Sequence, residues 1–133
     1  MRRGATAKKI LSIIESAYRA TLEEQDDTIV WLTHALKGAG ASVDVLLRGN
    51  AVNYAVKGQD ASGLAFGDKR QTQPPRIDED VAKLTTKSVR VYVVEEDVTD
   101  RGIEGRELIA GLSAVSRTGL SKLFAEYDQV WHW

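Results

Sequence analysis

The chain has 133 residues, 43% hydrophobic and 28% charged, with 18 basic side chains against 19 acidic ones and no cysteine. That length suits a single domain over 1–133 with one core, which buries about two thirds of the surface an unfolded chain exposes. The composition excludes disorder, the near-neutral balance leaves no basic face for nucleic acid, and the missing thiols exclude disulfides, thiolate zinc sites and cysteine-ligated iron–sulfur clusters.

The first pattern is the β-branched run Ile10 to Ile14, which predicts a buried strand. Thr21 and Glu24 have the spacing of a capping box. Ile29, Leu32, Thr33 and Leu36 then mark one face of a helix, which Gly38 and Gly40 stop. Ser42 to Leu47 reads as strand two. Asn50 is placed to cap a helix through Val52, Ala55 and Val56. Residues 58–76 hold three glycines, polar residues and Pro74-Pro75, a loop long enough to suggest a lid, a subunit contact or plain mobile surface.

Ile77, Val81 and Leu84 predict a helix from near Asp78. Val89 to Val94 is the clearest strand of the chain. Glu95-Glu96-Asp97 follows at once, then a turn at Arg101-Gly102 and a short helix around Arg106 to Ile109. Leu112 to Val115 reads as strand four. Leu120, Leu123, Phe124 and Tyr127 form another helix face, and Gln129 to Trp133 closes as strand five. Strands alternating with helices predict an α/β fold: a three-layer α/β/α sandwich on a five-stranded, mainly parallel sheet.

In such sheets ligands bind outside the carboxyl ends of the strands. That rule selects Glu15, Ser16, Tyr18 and Arg19 after strand one, Arg48, Gly49 and Asn50 after strand two, and Glu95, Glu96 and Asp97 after strand three. Close carboxylates raise one another's pKa, so the acidic run offers a general acid or base, or hard oxygen ligands for magnesium or calcium. The plainer reading is a solvated turn, because three adjacent carboxylates point in different directions. Arg19 and Arg48 can hold an anion or pair with those carboxylates. Ser16 has no visible histidine partner, and Asn50 is a helix cap first.

His34 and His132 have no metal-ligand spacing, so no metal site and no cofactor is expected. Trp131 and Trp133 should share one face of the last strand. Walker A, HExxH and GxSxG motifs do not occur. Lys8-Lys9 interrupts any export signal after Arg2-Arg3, and no apolar run approaches the ~18 residues of a membrane span. Cytoplasmic localisation is the default expectation.

The layout as a whole resembles the DsrE family of sulfur-relay proteins. The likeness rests on Val45-Leu46-Leu47-Arg48-Gly49-Asn50-Ala51-Val52, on Val91 to Gly102, on Glu107-Leu108-Ile109-Ala110-Gly111, and on Glu126-Tyr127-Asp128-Gln129-Val130. It implies an α/β/α domain assembling as a homo-oligomer (dimer, trimer or hexamer), with a sulfur-relay protein as a partner. It also implies that catalytic relatives carry a persulfide on a cysteine at or near the position of Asp97, with Val94 where some have a second cysteine. An aspartate cannot carry a persulfide.

The leading expectation is therefore a DsrE-like binding or assembly component without cysteine-based sulfur transfer. Its alternatives are an enzyme with Asp97 or Glu95 as acid/base and Arg19 or Arg48 on an anion, and a structural oligomer subunit with Trp131, Trp133 and the 58–76 loop in its interfaces.

Overall fold

The computed structural model describes residues 8–19, 26–59 and 63–133. Its main sheet is built from β1 (Lys9–Ile14), β2 (Ser42–Leu47), β5 (Val91–Val94), β6 (Ser113–Val115) and β7 (Gln129–His132). The order across the sheet is β6-β5-β2-β1-β7, and every pairing is parallel. The predicted five-stranded α/β fold is thus present.

Strand order explains where the helices lie. From β1 to β2, β5 and β6 the chain steps one strand at a time in one direction. Parallel crossovers are right-handed, so these connections share a face. On it lie α1 (Thr28–Gly38), α2 (Ile77–Thr86), the short α3 (Glu95–Asp100) and a 3-10 segment (Gly49–Ala55). Ile29, Val30, Val81, Leu84, Val52, Tyr54 and Val98 pack there against Ile14, Val45, Leu47, Val91 and Val93. From β6 the chain returns to the opposite edge, and the reversed direction puts α4 (Leu120–Ala125) on the other face. Leu123 meets Leu11, Ile13, Leu46 and Val94 there, flanked by Leu120, Phe124 and Tyr127, the predicted helix face.

Several local expectations change. The proposed capping box at Thr21 and Glu24 lies outside the described residues. The cap of α1 is Asp27, whose Oδ1 accepts from the Ile29 and Val30 N–H groups at 2.8 and 3.0 Å. Asn50 does not cap a helix; it lies inside the 3-10 segment, whose leading residue Arg48 makes no side-chain cap. The 58–76 stretch contains a small hairpin of β3 (Ala65–Phe66) and β4 (Lys69–Arg70).

No helix forms around Arg106 to Ile109. The Lys57 N–H donates to the Glu107 carbonyl and the Ile109 N–H to that of Ala55, so this segment pairs as an extended bridge. Conversely, the acidic run expected as a turn is the first turn of α3. Carboxylates beside the unpaired N–H groups of a helix start are favourable, so three acidic residues there are compatible with helix.

Candidate functional site

The carboxyl ends of the strands gather two groups of charged side chains. The first spans β1, β2 and β7. Glu15 leaves β1, Arg48 leaves β2 and His132 ends β7. The His132 Nε2–H donates to Glu15 Oε2 at 2.6 Å, and Arg48 Nε lies 3.6 Å from Glu15 Oε1. Arg48 Nη2 is also 3.5 Å from the imidazole. The side chains are 45% (Glu15), 50% (His132) and 27% (Arg48) exposed, so the cluster opens to water. It sits at the β1–β7 boundary, where α1 leaves on one face and α4 feeds in from the other.

The second group spans β2, β5 and β6 and centres on Asp97, whose side chain is 14% exposed. Its Oδ2 accepts from the Gly49 N–H at 2.8 Å, and its Oδ1 from Arg117 Nη2 at 2.6 Å. Arg117 reaches Asp100 at 3.3 Å, while its own N–H donates to Glu96 Oε1 at 2.8 Å. Burial pushes the Asp97 carboxyl up, but the Gly49 N–H and the Arg117 guanidinium outweigh it. The group is held below the ordinary carboxylate value of 3.8. That is the opposite of the raised pKa expected from crowded carboxylates, because the three side chains diverge. Glu95 is exposed, Glu96 braces the Arg117 backbone, and only Asp97 turns into the edge.

The remaining candidates are spread out. Ser16 is exposed just past β1. Tyr18 stands at φ +60°, donating its N–H to the Tyr54 hydroxyl and its own hydroxyl to Gln59 Oε1 at 2.8 Å. Burial raises its pKa despite that hydrogen bond. Arg19 lines a cavity of about 290 Å³ with Asp27, Thr28, Ile29 and Trp133. Asn50 accepts from Arg101 Nε at 3.1 Å. Arg48 pairs with Glu15, and Arg117 supplies the cation at Asp97, so the arginine–carboxylate partnership exists with different members from those expected.

Arg117 and His132 are the residues the sequence reading missed; Glu15, selected after strand one, is the partner of His132. The carboxyl-end rule was sufficient to find them. Applied to strands four and five as well as to the first three, it selects Ser116-Arg117 and His132.

His34 is a packed residue between helices. Lys87 donates to its Nδ1 at 2.9 Å, which leaves Nε2–H to donate to the Asp80 carbonyl at 2.8 Å. Trp131 and Trp133 do share a face, with their rings edge-on at 6.4 Å and the Trp133 Nε1–H on Ser12 Oγ. Among the described residues no group of three histidines or carboxylates is arranged to hold a metal, and no helix is long and apolar enough to cross a membrane.

No family model matches the chain, and no curated protein matches it by sequence. Solved structures do match. The ychN protein from E. coli superposes with a TM-score of 0.72 at 20% identity, covering 95% of this chain and 99% of that one. A protein of unknown function from Methanobacterium thermoautotrophicum superposes at 0.61 with 16% identity, over 92% of this chain and 96% of that chain. A conserved protein of unknown function from Bacteroides thetaiotaomicron gives 0.60 at 12% identity, over 94% and 95%. At such identities the likeness establishes a common fold over nearly the whole length: five parallel strands in this order with helices on both faces.

Proposed function

We propose that this chain is a DsrE-like protein that carries no sulfur itself and works as a binding or assembly component, taking a small ligand or the sulfur-bearing tail of a relay protein at the carboxyl edge of its sheet. The observation that carries the reading is the state of Asp97. The family resemblance puts a persulfide cysteine at or near this position. Here a carboxylate stands there, held ionised by the Gly49 N–H and Arg117. A carboxylate so engaged is a poor proton donor and cannot form a persulfide. The fold likeness to ychN supports the family reading, and the sequence of 133 residues offers no thiol at any position.

The test is a persulfide-transfer assay on the purified chain, with an Asp97→Cys variant beside it. The wild type is expected to take up no sulfur. The variant is expected to accept a persulfide, because a thiolate there inherits the Gly49 N–H and Arg117, the electropositive surroundings that activate cysteine. Sulfur transfer by the unmodified chain would sink the proposal. A variant thiol that stays unreactive, with its fold intact, removes the equivalence with the relatives' cysteine.

A further inference from the structure

The adjacent strands β2, β1 and β7 end in three charged side chains set side by side. Ile13 and Leu46 pack on the face that carries α4, and the register pairs Ile13 with Leu46 on one side and with His132 on the other. Side chains alternate along extended chain, so Glu15 and Arg48, two residues further on, share that face with His132. Backbone bonds keep the row in step. The Glu15 N–H donates to the Trp133 carbonyl, and the Arg48 N–H to that of Ile14.

The hydrogen bond between His132 and Glu15 defines what the imidazole can do. Nε2–H donates to Glu15 Oε2 at 2.6 Å, which fixes the orientation of the ring and leaves the lone pair on Nδ1. Among the described residues Nδ1 has no hydrogen-bond partner, and the side chain is half-exposed. A carboxylate behind one ring nitrogen and a free lone pair on the other make a general base. Arg48 completes the row. Its Nε lies 3.6 Å from Glu15 Oε1 and its Nη2 3.5 Å from His132 Nε2, so a guanidinium stands beside the ring to hold the anion that proton loss leaves.

The open setting selects the acid. A base in contact with water takes a proton readily only from a group of comparable acidity. Thiols, at about 8.5, lie within roughly two units of imidazole at about 6.5. Alcohols and C–H acids lie many units higher and need an enclosed site of fixed donors for the anion they form. The chain has no thiol of its own, so the acid comes from outside.

We propose that Glu15, His132 and Arg48 activate a thiol carried by another molecule. The S–H bond breaks, its proton passes to His132 Nδ1, the electron pair stays on sulfur, and the thiolate rests on Arg48. His132 is the catalytic residue and Arg48 the anion contact. Glu15 is the positioning residue, and its carboxylate faces the charge that the ring gains. The thiolate is the nucleophilic form of the group. No other reactant is needed, and the proton returns when the thiol leaves. The proposal deepens the reading given above and rests on it for the source of the thiol. Its chemistry rests on residues separate from Asp97.

Two measurements test it. The first follows alkylation of N-acetylcysteine amide by iodoacetamide at about pH 6.5, where about one per cent of an ordinary thiol is ionised. The chain has no cysteine, so all thiol alkylation belongs to the probe. Expected is a rate that rises with chain concentration and saturates about tenfold higher, the effect of one unit in thiol acidity. His132→Gln should return the rate to that without protein. Glu15→Gln, whose amide can donate to Nε2 and reverse the tautomer, should lower the plateau. Arg48→Gln should lower it as well, and Arg48→Lys should restore part. The second measurement is NMR of the His132 ring, whose resonances should move on adding N-acetylcysteine amide and stay on adding N-acetylserine amide. Acceleration no greater than that by free imidazole at equal concentration, full acceleration by His132→Gln, a plateau indifferent to Glu15→Gln, or ring resonances indifferent to the thiol would each overturn the proposal. Such a failure, with the chain still taking up no sulfur, leaves the function proposed above standing. Sulfur uptake by the chain would remove that function and leave the thiol activation measured here intact.

Discussion

Asp97 shows how one side chain can be read three ways until its partners are known. Its neighbours in sequence are carboxylates, yet its partners in space are an amide and a guanidinium. Because its folded pKa lies below the ordinary value of 3.8, its stabilisation is complete above that value and is lost as the pH falls through the folded one. Asp97→Asn is expected to cost about 1 kcal/mol at neutral pH, with the contact to the exposed Arg117 discounted for solvent screening. Thermal melts of both proteins should converge as the pH drops below the carboxylate range. A gap that persists in acid would mean that packing, and not charge, holds the residue. Tyr54 is the buried counterpart. Its hydroxyl donates to Asp27 Oδ2 at 2.6 Å and accepts from the Tyr18 N–H, so it ties the cap of α1 to the loop after β1. Tyr54→Phe leaves a buried carboxylate oxygen short of a donor and is expected to cost about 1–3 kcal/mol in urea unfolding. Burial, and then the bond to Asp27, raises the Tyr54 pKa well above 10.0. The wild type should therefore lose stability as the pH climbs past the unfolded tyrosine value, and Tyr54→Phe should lose less.

Among the elements, the turn from β2 into the 3-10 segment organises the carboxyl edge. Gly49 holds φ +57°, and its N–H donates to Asp97. A Cβ at this position would lie 3.0 Å from Glu15 Cγ. The left-handed conformation adds ~1 kcal/mol for any residue with a Cβ. Gly49→Ala is thus expected to lower the melting temperature and, by displacing Glu15, to move the His132 ring resonances in an NMR spectrum. A variant with native ring shifts would show that Glu15 accommodates the methyl without releasing the imidazole. Sequence periodicity identified the long elements well. It failed at short ones: a 3-10 segment was expected as a helix around Asn50, α3 was expected as a turn, and Arg106 to Ile109 was expected as helix. Elements of six or seven residues carry fewer than two turns of pattern, and their state is decided by what they lie against.

Across the whole molecule the two faces of the sheet are covered unequally. One has α1, α2, α3 and the 3-10 segment; the other has α4, six residues long, with Leu123 its single buried residue. Leu123→Ala should cost about 2–3 kcal/mol, at the lower end for leucine truncation because an exposed helix can settle into the gap. Denaturant unfolding with an unchanged slope is the measurement. A loss well under 1 kcal/mol would show that Tyr127 and Phe124 hold that face without it. Tyr127 helps through a hydrogen bond to Asp44 at 2.5 Å near the opposite ends of the strands, away from the charged edge.

The sequence by itself determined the five strands of the main sheet, the longer helices and the kind of sheet. Burial imposes a local pattern on β-branched and apolar residues, and that pattern survives without knowledge of neighbours. It also determined that no thiol is present, which removes cysteine chemistry whatever the fold. Only the tertiary structure decided which charges meet. Glu15 and His132 stand 117 positions apart, Gly49 and Asp97 48, and Asp97 and Arg117 20. Their pairing depends on strand order, on β7 returning beside β1 and on β6 lying beside β5. Hydrophobic periodicity says that a strand is buried but not which strand is next to it, so the partners of an edge residue are set by topology.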